Sequence, residues 1–364
     1  MIYVHVPFCK SFCTYCGFYS VICKTGDDAF EAFAGNVCRE VEARRQEIIG
    51  SAGVNTLYFG GGTPSVLPLG VFRRIVDALP FDSYEEFTVE MNPDDVSAPF
   101  VDGLAGLGVN RISLGIQSFE DDILRRMNRR HNSDAALRAV ETVRSCGIRN
   151  LSIDLIFGFP SLSDDAWERT VKTALQLRPE HISCYQLSIE EGSALERMLA
   201  EGRFREAGQE QCRRQYDSLC RALAKAGYNH YEVSNFALPG YEARHNSAYW
   251  SRAPYVGLGP GAHSFDGKKC RCWNGEMAQD GTYVSEAEVL TDEDIAVERV
   301  MLGLRTAAGL PAGELRSIIG PCALQEALSK GLLETANRHP GEQRLRIPEN
   351  KFFVSDDIIR TLIP

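Results

Sequence analysis

Apolar, strand-like runs alternate with helix-like segments over the first half of the chain. Five runs rich in β-branched and aromatic residues occupy residues 55–62, 85–93, 110–119, 149–160 and 181–190. Segments with helical periodicity lie between them, for example at 134–146 and 164–177. A repeated strand-then-helix pattern predicts parallel βαβ units. The chain is therefore expected to adopt an α/β fold around a parallel sheet.

Such units can form either an open, doubly wound sheet or a barrel. Glycines and polar residues, among them Glu90, Gln117 and Asp154, stand at or near the carboxyl ends of several strands. An open sheet concentrates its ligand at one switch point, whereas a barrel collects functional residues from many strand ends. The distribution favours a barrel or part-barrel.

The pattern changes near residue 237. Residues 237–284 are rich in aromatic residues, histidine and glycine, and residues 285–364 are mainly helical with one short hairpin-like pair. A length of 364 residues suits two domains, or one large domain with an appendage. We predict a core domain over 1–236, a loop-rich connector over 237–284 and a smaller, mainly helical C-terminal domain over 285–364.

Composition excludes several classes of function. The formal net charge of −10 argues against nucleic-acid binding. No apolar run approaches the roughly 20 residues of a membrane span, and the N-terminus lacks a secretory signal pattern. We therefore expect a cytoplasmic protein. In that reducing compartment the twelve cysteines are expected to be thiols or metal ligands instead of disulfides.

Three cysteines, Cys9, Cys13 and Cys16, fall within eight residues in a C-x3-C-x2-C pattern. Structural zinc sites need four donors, commonly as paired C-x2-C units, and the distant Cys270 and Cys272 match no common zinc pattern. Three close thiolates suit a [4Fe–4S] cluster in which one iron lacks a protein ligand. A small chelating molecule can then bind the open iron. A zinc-binding scaffold is the alternative.

The C-x3-C-x2-C spacing resembles that of the radical SAM superfamily, and more of the chain resembles the oxygen-independent coproporphyrinogen III oxidase family. The resemblance implies a partial (β/α)6 TIM-type barrel of the radical SAM kind and three cysteines that hold the cluster. It also implies that S-adenosylmethionine (SAM) chelates the fourth iron. The residues that match the family's SAM-contacting positions are Tyr3, Tyr15, Gly61, Gly62 and Thr63 of "GGGTPS", Glu90, Gln117, Arg129 and Asp154. Taken singly, Glu90 or Asp154 could be a strand-end cap and Arg129 a surface charge.

Two branches of that family remain to be distinguished. The oxidase branch, which decarboxylates coproporphyrinogen III, usually carries a fourth cysteine two residues after the third, where this chain has Phe18. That branch also has a long N-terminal extension, whereas eight residues precede Cys9 here. Oxidase activity on coproporphyrinogen III or another tetrapyrrole is therefore the second choice. Whether SAM is cleaved is left open.

The heme-chaperone (HemW) branch carries an H-N-x-x-Y-W signature, which appears here as "HNSAYW" from His245 to Trp250. A neutral imidazole is a good axial ligand for heme iron, so His245 is a candidate heme contact. The alternative is that His245 caps a turn and the aromatic residues belong to the core. Gln186 and His263 are weaker candidates for the site. The resemblance predicts heme as cargo, an acceptor protein, and an electron donor for the cluster; a homodimer through the C-terminal helices is also open.

Overall fold

The computed structural model describes residues 1–23, 28–278, 283–336 and 342–363. His339 lies outside the described residues. The strands are β1 Ile2–Val6, β2 Phe8–Cys9, β3 Val21–Ile22, β4 Thr56–Gly61, β5 Glu86–Met91, β6 Arg111–Gln117, β7 Asn150–Phe157, β8 His181–Gln186, β9 Asn229–Glu232, β10 Asn235–Ala237, β11 Val256–Leu258, β12 His263–Phe265, β13 Cys270–Asn274, β14 Ser285–Val289, β15 Leu310–Pro311, β16 Glu334–Ala336 and β17 Arg344–Arg346.

The α-helices lie mainly between these strands and after them. They are α1 Ala29–Ala43, α2 Arg45–Gly50, α3 Leu69–Ala78, α4 Ala98–Gly106, α5 Asp121–Arg126, α6 Ser133–Ser145, α7 Asp164–Leu177, α8 Ala194–Ala200, α9 Gln209–Lys225, α10 Arg244–Trp250, α11 Asp292–Leu304, α12 Ala312–Ile319, α13 Pro321–Ser329 and α14 Ser355–Leu362. No helix in these ranges combines the length and the apolar character that crossing a bilayer requires.

A nine-stranded sheet forms the body of the molecule, in the order β11-β1-β4-β5-β6-β7-β8-β10-β9. The six strands β1 and β4 to β8 pair in parallel, and β10 and β9 add an antiparallel edge beyond β8. This topology confirms the predicted α/β fold with a six-stranded parallel part-barrel. The sequence pattern identified five of the six strands and missed β1, which begins at the second residue.

The predicted connector contributes to this sheet. Strand β11 pairs in parallel with β1, so a segment within residues 237–284 closes one edge of the core sheet. The Glu40 carboxylate accepts hydrogen bonds from the Gly259 backbone and the Asn274 amide, at 2.9 Å each, and so ties α1 to the segment after β11. The boundaries at residues 237 and 285 remain predictions.

Strict alternation along the six parallel strands separates two surfaces. In β1 and β4 to β6 the outward residues are buried under the helices and are apolar apart from Gly61, whereas the inward residues are polar, aromatic or glycine. The same alternation continues in β7 and β8, except that Ile156 is an apolar inward residue and Gln186 an exposed outward one. Alternate residues of a strand face opposite sides, and barrel interiors are usually filled with Val, Ile and Leu. This lumen is therefore built as a polar site. Its inward residues include Tyr3, His5, Thr56, Tyr58, Gly60, Glu86, Thr88, Glu90, Arg111, Ser113, Gly115, Gln117, Ser152, Asp154, His181, Ser183 and Tyr185.

The C-terminal segment packs four helices around a small antiparallel sheet of order β15-β17-β16. Its first helix, α11, begins with a capping box. Thr291 Oγ1 accepts from the Asp294 backbone N–H at 3.1 Å, and the Asp294 carboxylate accepts from the Thr291 N–H at 2.9 Å. Both interactions satisfy N–H groups that a helix start leaves without intrahelical partners.

Removal of this cap gives a testable stability change. Thr291→Ala is expected to lower the free energy of unfolding by about 1 kcal/mol, because the Asp294 N–H loses its side-chain acceptor. Urea denaturation followed by circular dichroism measures the change. Thr291→Ser keeps the cap oxygen and is the matched control, so an equal loss in both variants would contradict this account.

Candidate cluster and SAM site

Cys9 ends β2, and Cys13 and Cys16 lie in the loop between β2 and β3. Cys9 Sγ is hydrogen-bonded to Thr63 Oγ1 at 3.4 Å, and the Arg129 guanidinium donates to Cys13 Sγ at 3.3 Å. The Cys16 backbone N–H reaches the Cys13 carbonyl at 3.4 Å, so these two residues share one tight turn. The loop thus sits over the carboxyl end of β4 and beside the segment that follows α5.

Electrostatics shows that the three thiols are neighbours. Burial, together with the charges of the adjacent Cys13 and Cys9, raises the pKa of Cys16 to about 11. Burial also raises the pKa of Cys9, with the charge of Cys13 acting in the same direction. Thiols in this setting ionise readily only when a cation joins them, and a metal centre supplies that charge. The donor set therefore fits a thiolate-bound iron–sulfur cluster.

Two glycines allow the loop to approach the sheet closely. A Cβ on Gly62 would lie 2.8 Å from the Phe8 carbonyl oxygen and 3.1 Å from Cys9 Sγ. Gly61 has φ +104°, and its Cβ would meet the His5 ring at 2.6 Å. A side chain at Gly62 would displace the cysteine loop, and one at Gly61 would displace the His5 ring, so the glycine run has a structural requirement here.

Arg129 links the cluster loop to the sheet. Besides Cys13, its guanidinium donates to Asn92 Oδ1 at 2.6 Å and to the Gly115 carbonyl. Tyr15 lies next to both Cys13 and Arg129, where burial raises the pKa of its phenol. The Arg129 Nε is buried and has no hydrogen-bond partner among the described residues. An unsatisfied buried donor of this kind fits a site that a carboxylate-bearing ligand completes.

Glu90 lies in the lumen beneath the glycine run. The Tyr58 hydroxyl donates to its Oε1 at 2.6 Å. A Cβ on Gly60 would lie 3.1 Å from that oxygen and equally close to the Tyr3 ring, which places Tyr3 and Glu90 around one point. Burial raises the pKa of Glu90 to about 7, although the Tyr58 hydrogen bond opposes that shift. A desolvated carboxylate that forms no ion pair with a cationic side chain among the described residues is suited to receive a ligand amino group.

Asp154 occupies the other side of the lumen. The Ser113 hydroxyl donates to its carboxylate at 3.1 Å, and burial raises its pKa. The charge of Asp154 also contributes to the raised pKa of Glu90. Gln117 ends β6 with φ +66°, a left-handed conformation that is uncommon for a residue other than glycine and often marks a functional position.

The structure brings most of the predicted site residues together at the carboxyl ends of β1 and β4 to β7. Sequence reasoning missed two residues that hold them in place: Tyr58, which bonds Glu90, and Asn92, which bonds both Arg129 and Thr63. Tyr58 could have been found from the alternation in "NTLYFGGG", in which every second residue faces the lumen. Asn92 follows a strand end and carries no comparable signal.

His245 lies at the amino ends of the strands, where its ring packs against two lumen tyrosines, Tyr3 and Tyr58, at centroid distances of 6.5 and 5.0 Å. Its side chain is 1% exposed; Nδ1 is hydrogen-bonded to Thr56 Oγ1 at 2.8 Å and Nε2 to the Tyr249 hydroxyl at 3.1 Å. Its backbone N–H donates to Glu86, which caps α10 from the start of β5. Burial lowers the pKa of His245 to about 3. Axial ligation by His245 remains a prediction, and it would require both ring hydrogen bonds to be replaced.

The two remaining cysteines considered as ligands, Cys270 and Cys272, lie on β13 in a separate sheet of order β12-β13-β14. Among the described residues no three His, Cys, Asp or Glu side chains converge so as to hold one metal ion. A cubane differs from a single-ion site, because each thiolate binds its own iron and the sulfurs are spread around the cluster.

Comparison with known proteins agrees with this geometry. Residues 3–174 match the family model of the radical SAM superfamily. A protein of Bacillus subtilis (strain 168) named "Heme chaperone HemW" is 33% identical over 356 residues, which cover 92% of each chain. A Lactococcus lactis protein of the same name is 31% identical and covers 99% of this chain and 96% of its own.

The chain belongs to the HemW family of radical SAM proteins. Among solved structures, coproporphyrinogen III oxidase (HemN) from Escherichia coli superposes with a TM-score of 0.79 and covers 99% of this chain and 89% of its own length. Its sequence is 18% identical, so this likeness concerns the fold. The HemW family assignment and the HemN-like fold confirm the resemblance that the sequence motifs indicated.

Proposed function

We propose that the chain is a cytoplasmic heme chaperone that holds a [4Fe–4S] cluster, binds SAM and passes heme to an acceptor protein. The observation that carries this proposal is the similarity, over nearly the whole length, to proteins named heme chaperone HemW. The arrangement of the thiols and lumen carboxylates supports it, because both cofactors require groups of that chemistry at the same end of a barrel.

Each cofactor has defined residues in this proposal. Cys9, Cys13 and Cys16 ligate three irons of the cluster. Glu90 accepts from the SAM amino group, Asp154 from its ribose hydroxyls, and Arg129 donates to its carboxylate. The residues that line the rest of the SAM site are Tyr3, Tyr15, Gly61, Gly62, Thr63 and Gln117. When bound, the cluster can supply an electron to the SAM sulfonium, and an external electron donor for the cluster then belongs to the same proposal.

A second function, oxidation of coproporphyrinogen III or another tetrapyrrole, is favoured by the intact lumen site and by the HemN-like fold. Phe18 weighs against it, since the residue expected to be cysteine in the oxidase branch is here a phenylalanine that is 70% exposed. Formation of protoporphyrinogen by the purified protein would support this alternative. Its absence under anaerobic, SAM-containing conditions leaves the chaperone proposal.

Hemin titration tests the chaperone function directly. The anaerobically reconstituted protein is titrated with hemin, with and without SAM, and the Soret band is recorded. We expect a shifted Soret band that saturates near one hemin per chain, because a protein ligand changes the axial field of the iron. Buffer that contains hemin and no protein gives the reference spectrum. A spectrum that equals this reference at stoichiometric hemin contradicts the proposal.

A further inference from the structure

The described histidines differ in whether an imidazole nitrogen is available to a ligand. Five of them are at most 5% exposed. Their rings bond to hydroxyl or carbonyl groups of the protein: His5 to Tyr3 and Tyr19, His131 to Ile116, His181 to Ser152 and Tyr231, His230 to Tyr216 and Val233, and His245 to Thr56 and Tyr249. Burial makes the nitrogens of these five rings inaccessible to a ligand, including His131 Nδ1, which has no hydrogen-bond partner among the described residues.

His263 differs from all five. Its side chain is exposed on β12, and within the described ranges no protein group forms a hydrogen bond with its ring. The imidazole is held in one orientation by Trp273 on β13: the two residues are cross-strand partners, and their rings stack with centroids 6.2 Å apart and planes 26° from parallel. A cross-strand aromatic partner limits the rotamers of the imidazole without blocking its outer nitrogen.

The surface around His263 includes the apolar Trp273 and Val284 together with the charged Arg271 and Glu286, and it adjoins the cluster loop. Trp273 is half-buried, and Val284, which directly precedes β14, is 77% exposed. A Cβ on Gly261, two residues before His263, would lie 3.2 Å from the Tyr19 ring, and the Tyr19 hydroxyl accepts from the Met277 backbone N–H at 2.8 Å. Tyr19 is three residues from Cys16 in sequence, so the His263 face adjoins the loop that carries the three thiols.

We propose that His263 is the axial ligand of heme iron in this protein, with Trp273 orienting its imidazole. This assignment rests on the proposed heme-binding function. A flat, apolar iron porphyrin needs one accessible nitrogen donor beside exposed apolar surface, and His263 offers both. Burial and the nearby Arg271 lower the pKa of His263, which keeps its imidazole neutral and able to coordinate at physiological pH.

The test uses the full chain, reconstituted anaerobically, with hemin as the probe. His263→Ala is expected to raise the Kd for hemin at least tenfold, which corresponds to about 1.4 kcal/mol, and to change the Soret spectrum of any remaining complex. Added imidazole is expected to restore the wild-type spectrum in this variant, because it can occupy the vacated coordination position. His263→Tyr is expected to give the different spectrum of a phenolate ligand.

Two competing variants make the outcome decisive. His245→Gln examines the histidine of the HNSAYW motif, and His339→Ala examines the one that lies outside the described residues. Wild-type binding and spectrum in His263→Ala, or loss of the Soret shift in either competing variant while far-UV circular dichroism is unchanged, overturns the assignment. If the wild-type protein itself binds no hemin, the proposed function fails, which is a distinct result from a failure confined to His263.

Discussion

Cys13→Ser is expected to abolish assembly of the iron–sulfur cluster. A serine hydroxyl ionises far less readily than a thiol and is a poor ligand for iron in such clusters, so the remaining Cys9 and Cys16 would hold only two of the irons. After anaerobic reconstitution we expect the iron content and the broad visible absorption of the variant to fall close to the values of the apoprotein. Colorimetric iron and sulfide analysis measures the change.

Cys322→Ser is the matched control for this variant. Cys322 is an exposed thiol on α13, remote in sequence from the cluster loop, and its replacement should leave iron content unchanged. If the wild-type protein instead binds zinc and no iron, the result would support the alternative that the chain is a zinc-binding scaffold. A full complement of iron in Cys13→Ser would contradict the proposed ligand set.

Glu90→Gln is expected to weaken SAM binding to the reconstituted protein by roughly 10- to 100-fold, since a hydrogen bond to a charged group contributes about 1.5–3 kcal/mol. The amide retains the size of the carboxylate but presents a weaker, neutral acceptor to the ligand amino group. Isothermal titration calorimetry under anaerobic conditions measures the Kd. Tyr58→Phe, which removes the hydroxyl that donates to Glu90 at 2.6 Å, should produce a smaller loss.

The pH dependence of protein stability provides an independent check on the raised pKa of Glu90. Burial raises its pKa from the ordinary 4.5 to about 7, so the folded, ligand-free protein keeps the carboxyl protonated to a higher pH than the unfolded chain does. The stability of the ligand-free protein should therefore fall as the pH rises from about 4.5 to about 7. Glu232, whose pKa burial also raises to about 7, adds to that fall.

The pH dependence of SAM binding distinguishes the effect of Glu90 from that of Glu232. The affinity should increase as the pH rises through about 7, because the ligand amino group is best accepted by the ionised Glu90. This increase should disappear in Glu90→Gln and persist in Glu232→Gln. An identical pH profile for wild type and Glu90→Gln would show that another group controls the interaction.

His245 shows which structural features a local sequence motif does not predict. The HNSAYW segment is readable from the sequence, and its resemblance to a family signature suggested a contact with heme. The partners of His245 are Thr56, 189 residues away, and Glu86, which starts a different strand. The spacing of residues within the motif contains no information about these partners, so the motif alone could not decide between a heme contact and the structural role that was its alternative.

The sequence alone determined the chemistry of the cofactor loop and the class of fold. Cys9, Cys13 and Cys16 are close in the chain, so their proximity follows from local geometry. The alternation of strands and helices likewise reflects periodicities within single elements. Tertiary structure decided what depends on partners distant in the chain: the addition of β11 to the core sheet, the bond from Tyr58 to Glu90, the enclosure of His245 and the exposure of His263. These depend on the curvature of the sheet and on long-range packing, which short-range patterns do not encode.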